Sequence, residues 1–179
     1  EILRRKGVGT SVHFIPLHLH PVYQRRLGYK PGQFAAAEAV FNRACSLPIY
    51  PAMSDADIQQ AIAEFANAAS LAIEAGFDGV ELHAGGGYLL DAFFNANINR
   101  RDDAYGGSPT ARNRFILDVV QAVADAIGAA RTGIRFMPHS GANGATDFVG
   151  MDEQYVALAR RLSGFGLIYL HLVSYVAIG

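Results

Sequence analysis

One stretch restricts the fold more than any other: Gly76-Phe77-Asp78-Gly79-Val80-Glu81-Leu82-His83, continuing Ala84-Gly85-Gly86-Gly87-Tyr88-Leu89-Leu90. Apolar Phe77, Val80 and Leu82, bounded by glycines, read as a short buried strand over 77–82. Ahead of it, Ile58, Ala61, Ile62, Phe65, Ala69, Ala72 and Ile73 recur at helical spacing. Ser54-Asp55-Ala56-Asp57 supplies the N-cap and first-turn acids of that helix, and Gly76 stops it. A glycine-rich turn then leads into a new helix from Leu89. Helix, strand, loop and helix in this order imply α/β architecture, in which chemistry sits at the carboxyl ends of strands. His83 stands at such an end. Tyr88 follows beyond glycines that let the backbone approach a ligand closely.

The pattern repeats downstream. Residues 132–137 and 167–173 read as two more strands, 112–127 and 152–162 as helices. The alternation implies a parallel sheet of about three strands. Asn95 to Ser108 holds Asn97, Asn99, Arg100, Arg101, Asp102, Asp103 and Tyr105, as expected of a loop pinned by internal ion pairs and Asx turns.

Composition narrows the class. The chain has 179 residues and a net charge of −1, which fits one globular domain with no bias toward nucleic acid. A single cysteine, Cys45, excludes an internal disulfide; it is expected as a small buried hydrophobe in a helix. No apolar run reaches the ~18 residues of a membrane span, and Glu1 to Lys6 lacks a signal-peptide core behind it. A cytoplasmic protein without membrane partners is the expectation. The first residue is not Met, as expected of a segment lying inside a longer protein.

The first 60 residues follow a different pattern. Thr10 to Leu17 is strand-like, His18 to Tyr23 reads as a loop between Pro16 and Pro21, Phe34 to Cys45 is helical, and Leu47 to Pro51 is extended. His13, His18 and His20 cluster, but no carboxylate or cysteine lies near in sequence to complete a tetrahedral set, so no metal site is expected.

Several motifs carry resemblances. Gly-Phe-Asp-Gly-Val-Glu-Leu-His, then Gly-Tyr-Leu-Leu-Asp-x-Phe, Asn99-x-Arg101-x-Asp103-x-Tyr105-Gly106-Gly107-Ser108 and Gly133-Ile134-Arg135 resemble the Old Yellow Enzyme family over about residues 62–173. Gly-x-Gly-Thr-Ser-Val-His-Phe-Ile-Pro-Leu-His, Leu-Gly-Tyr-Lys-Pro-Gly, Ser-Leu-Pro-Ile-Tyr-Pro and Ser-Asp-Ala-Asp-Ile are similar to the carboxyl-terminal small domain of DegT/StrS-type PLP-dependent aminotransferases. Together they imply a fusion or chimera, with 1–60 an aminotransferase-like appendage and 61–179 a partial (β/α) TIM-barrel segment holding barrel strands four, five and six. A complete barrel typically needs about 250 residues. Lys6 and Lys30 are the only lysines, and neither sits in the aminotransferase lysine motif, so PLP chemistry is not expected.

The first resemblance implies FMN as cofactor, NAD(P)H as reductant and an activated alkene as substrate. It implies His83 and Tyr88 as catalytic residues, holding a carbonyl oxygen and giving a proton, and Arg135 as the flavin contact. The family's second oxygen-holding residue falls on Gly86, which has no side chain to donate. The implied activity is that of an ene-reductase fragment, weak or absent alone. The alternatives are a non-catalytic remnant or assembly module that oligomerises through exposed sheet edges, or an aminotransferase ancillary segment. On the structural alternative, His83 simply hydrogen-bonds within the fold and Arg135 pairs with Asp78 or Glu81.

Overall fold

The computed structural model describes residues 11–12, 14–43, 45–46 and 53–174. The chain divides into two compact units, Glu1–Ile49 and Tyr50–Gly179.

In the first unit β1 (Ser11–Val12) pairs antiparallel with β2 (Cys45–Ser46). Of the strand expected over 10–17, the described residues show Ser11–Val12, while Leu17–Leu19 is a single 3-10 turn. The expected loop at His18–Tyr23 contains the start of a helix, α1 (Pro21–Leu27). Pro21 occupies its first turn, where a missing N–H leaves no intrahelical bond unmade. The alanine-rich helix is α2 (Ala35–Arg43), and Cys45 lies beyond it in β2. His18 is buried, with its ring 4.8 Å from that of Phe34 and Nε2 2.8 Å from Glu38 Oε1. That bond is the main reason the Glu38 carboxyl titrates below its ordinary range. His20 Nε2 meets the Ile15 carbonyl at 3.1 Å, and His13 lies outside the described residues. Among the described residues no group of three His, Cys, Asp or Glu side chains is placed to hold a metal ion.

The second unit opens with α3 (Asp55–Glu74), which runs without interruption through Ile62. Its start is a capping box: Ser54 Oγ accepts from the Asp57 N–H, and Asp57 Oδ2 accepts from the Ser54 N–H at 2.8 Å. Its end is a Schellman motif, in which the Gly76 N–H bonds Ile73 O and the Phe77 N–H bonds Ala72 O, with Gly76 at φ +95°. Phe77 therefore closes the helix and is 66% exposed, instead of opening a buried strand.

That strand, β3, is Val80–Ala84. It is followed by α4 (Leu89–Phe94), α5 (Pro109–Ile127), β4 (Thr132–Phe136), α6 (Met151–Leu162) and β5 (Tyr169–Leu172). The three strands form one parallel sheet in the order β3-β4-β5. This is the expected partial barrel segment. Leu82, Ala84, Ile134 and Phe136 form its apolar face and share one core with Ile58 of α3, Phe93 and Phe94 of α4, Phe115, Val119 and Val123 of α5, and Leu158 of α6. No helix among the described residues is long and apolar enough to cross a membrane.

Buried polar groups tie the helices and loops together. Arg112 of α5 donates to the Phe94 carbonyl, to the Gly107 carbonyl and to Gln154 Oε1 of α6. Gln154 in turn donates to the Phe94 carbonyl and Asn113 Oδ1. The loop from 95 to 108 is pinned as expected. Asn95, Asn99 and Asp103 each accept a backbone N–H two residues on, and Arg101 pairs with Asp103. Gly106 and Gly107 in this loop differ in kind. A Cβ on Gly106 would sit 2.2 Å from the Arg101 carbonyl oxygen, whereas Gly107 has open space but φ +72°. Gly107→Ala is therefore expected to cost about 1 kcal/mol in urea unfolding. Gly106→Ala should cost clearly more, on the order of 3 kcal/mol, because backbone must move.

Candidate active site

Strand register builds the site. His83 pairs with Arg135, and Arg135 with His171, so these three form one row across the sheet. Glu81, Gly133 and Tyr169 form the row before it. Alternation along a strand sends both rows to the face opposite Leu82 and Ile134. One face of the sheet is thus apolar, and helices cover it over β3 and β4. The other is polar.

His83 and Arg135 are each the last residue but one of their strand, at the carboxyl end. Tyr88 stands at the N-cap of α4, and its ring centroid is 5.3 Å from that of His83. The three residues singled out from the sequence are therefore neighbours on one side of the sheet. A surface hollow of about 420 Å³ lies elsewhere, along α5 beside Arg114 and Asp118, and none of the three lines it.

The electrostatics of the group are set by Arg135. Its Nε is buried and has no hydrogen-bond partner, and it makes no ion pair with Asp78 or Glu81 among the described residues. Glu81 is engaged elsewhere, its Oε2 lying 2.9 Å from His171 Nδ1. Burial, followed by the positive charge of Arg135, lowers the pKa of His83, with Glu81 opposing. His83 is consequently a neutral imidazole at pH 7, able to donate one N–H. Tyr88 is 60% exposed, with its hydroxyl free of hydrogen bonds to described residues.

The turn between His83 and Tyr88 is supported from below. Asp91 of α4 is 2% exposed, and its Oδ2 accepts the Gly87 N–H at 2.8 Å. Sequence reasoning did not single out Asp91, because nothing local signals that an acid after two leucines is buried. Glu81 and His171 were legible in principle, since each alternates with apolar neighbours in its strand.

With this geometry in place, the comparisons with known proteins decide the ancestry. Residues 11–176 match the model of the NADH:flavin oxidoreductase / NADH oxidase family. The chain belongs to that family. It is 47% identical over 132 residues to chanoclavine-I aldehyde reductase fgaOx3 of Penicillium roqueforti, covering 71% of this chain and 34% of the reductase. It is 44% identical over 125 residues to enoate reductase 1 of Kluyveromyces lactis, covering 66% of this chain and 31% of that enzyme. The Old Yellow Enzyme homologue of Zymomonas mobilis superposes with a TM-score of 0.67 at 32% identity, over 72% of this chain and 36% of that structure. The chain thus spans about a third of the length of these members of the flavin oxidoreductase family. The family match begins at residue 11 and takes in most of residues 1–60, and the aminotransferase resemblance of that segment finds no support here.

The Asp91 carboxyl carries a testable consequence. Burial raises its pKa from 3.8 to about 6 against the opposing Gly87 bond. Between these values the folded protein binds a proton that the unfolded chain releases. Stability is therefore greatest below about pH 4 and falls as pH rises through 6, by up to about 3 kcal/mol from this group. Asp91→Asn should remove that slope in denaturant unfolding measured from pH 4 to 7.

Proposed function

We propose that this segment forms the substrate-facing part of an FMN-dependent ene-reductase, acting on the activated C=C bond of an α,β-unsaturated carbonyl with NAD(P)H as reductant. The observation that carries the reading is the Arg135 guanidinium, buried at Nε without an acceptor and next in register to His83. Leaving a buried donor unmet costs about 1–3 kcal/mol, which an acceptor-bearing ligand recovers. A flavin ring, with its acceptor edge and its negative charge when reduced, fits this cation. When bound, FMN supplies the hydride.

The remaining roles fall to this chain's own side chains. Neutral His83 donates an N–H to the substrate carbonyl oxygen and so draws electron density from the conjugated alkene. Tyr88, beside it, delivers its hydroxyl proton to the alkene carbon next to the carbonyl, on the side open to solvent. Gly86 contributes no side-chain donor, and one missing donor of this kind typically lowers rate by ~10²–10³. Slow turnover follows.

Leu170 and Leu172 on the apolar face of β5 are exposed, although the equivalent residues of β3 and β4 are covered. This favours a second reading, in which β5 is completed by another polypeptide.

Titration of FMN against the 179-residue chain, followed by flavin fluorescence, separates these readings. The expected result is binding weaker than roughly 100 μM for the monomer. Arg135→Met should abolish that response while raising stability by about 1 kcal/mol, because an unmet buried donor is removed. Saturable low-micromolar binding by a monomer overturns the expectation of weakness, and binding that appears only with self-association supports the second reading. With FMN, NADPH and 2-cyclohexen-1-one supplied, His83→Ala should reduce turnover about 10²-fold. Unchanged turnover in that variant would remove His83 from the mechanism.

A further inference from the structure

The peptide unit joining Gly86 to Gly87 is held at both ends. Its N–H donates to Asp91 Oδ2 at 2.8 Å, and its carbonyl accepts from Asn143 Nδ2 at 2.8 Å. The C=O and N–H of a trans peptide point in opposite directions, so the two side chains grip one plane from two sides. Asp91 comes from α4 and is buried. Asn143 comes from the loop after β4 and is exposed.

The grip falls where the backbone has least stiffness of its own. Gly86 and Gly87 lie at φ +66° and +74°, and glycine on both sides of a peptide leaves its plane free to rotate. Close approach is built in as well. A Cβ on Gly87 would sit 2.7 Å from both the Ala142 carbonyl oxygen and Asn143 Cβ, so only glycine lets this loop lie on the turn. Asn143 is itself at φ +50°, a conformation that asparagine adopts more readily than most residues. The next residue along the chain is Tyr88, whose ring rests against that of His83.

We propose that Asp91 and Asn143 are positioning residues for the His83–Tyr88 pair, acting together through the peptide plane between Gly86 and Gly87. The importance of the pair rests on the function proposed above; the grip itself rests on geometry alone. Tyr88 leaves the turn one Cα beyond this peptide, and its own N–H donates to the Gly85 carbonyl at 3.4 Å. Fixing that plane, together with this bond, limits where the hydroxyl stands relative to the imidazole. A carboxylate accepts more strongly than a carboxylic acid, so the grip tightens as Asp91 ionises. The ionisable group facing Asp91 is the Tyr155 hydroxyl of α6, which burial and then the Asp91 charge hold above its ordinary pKa. No cationic side chain pairs with Asp91 among the described residues.

The test is NMR on the whole 179-residue chain. Asn143 is exposed, so Asn143→Ala leaves the core intact. It is expected to speed hydrogen exchange of the Gly87 amide about tenfold at fixed pH, with the Ile134 amide unchanged. The through-space contact between the Tyr88 and His83 rings should weaken with it. In the wild-type protein the Gly87 amide and Tyr88 ring signals should titrate together near pH 6, and Asp91→Asn should abolish that titration while keeping an acceptor for Gly87. Unchanged Gly87 exchange and ring contact in Asn143→Ala, or a titration that persists in Asp91→Asn, overturns the proposal. Reduction of 2-cyclohexen-1-one by NADPH with added FMN is read in parallel. Altered NMR signals with unaltered turnover leave the grip standing and refute the role given to the pair. Altered turnover with unaltered signals refutes the grip.

Discussion

The site depends on the register of three parallel strands. Because β3, β4 and β5 pair residue for residue, every second position is shared across the sheet. One set is Leu82, Ile134 and Leu170; the next is His83, Arg135 and His171. Burying Leu82 and Ile134 under α3, α5 and α6 leaves the second set on the other face. A slip of one residue in β3 or β4 would send a histidine or arginine into the core and an apolar residue out. The polar row is therefore protected by the same hydrophobic burial that holds the unit together.

Loops then convert the row into a local environment. Arg112 and Gln154 fasten α4, α5 and α6 around the Phe94 carbonyl, all within the buried interior. Asn95 and Asn97 reach to Thr146 and Asp147, anchoring the loop after β4 to the loop after α4. Within the loop after β4, His139, at φ +59°, lies between Asp147 and Asp152, and its bond to Asp147 raises its pKa. These ties hold the loop that carries Asn143 against the glycine turn. Structural polar groups and candidate chemical groups are thus kept apart: the former satisfied in pairs, Arg135 left open.

Much of this was legible in the sequence. The 3.6-residue period gave α3 and α5, and apolar runs between glycines gave three strands within a few residues of their positions. Motif spacing brought His83, Tyr88 and Arg135 to attention, and they are neighbours. The errors have physical reasons. Phe77 looks like a strand residue, yet it is the residue after a helix-ending glycine and bonds back to Ala72. Pro21 looks like a helix breaker, yet it sits in the first turn, where proline is harmless. Asp91 and Asn143 left no local trace, because burial and a reach of 57 residues belong to the tertiary fold.

Gly133 decides where charge on the polar face is spent. Its missing side chain leaves room for the Tyr169 ring, which would come within 2.5 Å of any Cβ there. Tyr169 thereby lies across β4 toward Glu81, whose charge helps raise the hydroxyl's pKa after burial. Glu81 is engaged by the two β5 side chains Tyr169 and His171, and among the described residues it makes no ion pair with Arg135. A residue with no functional group thus acts as an insulator: by routing an acid to the far strand, it keeps the neighbouring guanidinium from being neutralised internally. A side chain at this position would displace the Tyr169 ring and so retune the polar face.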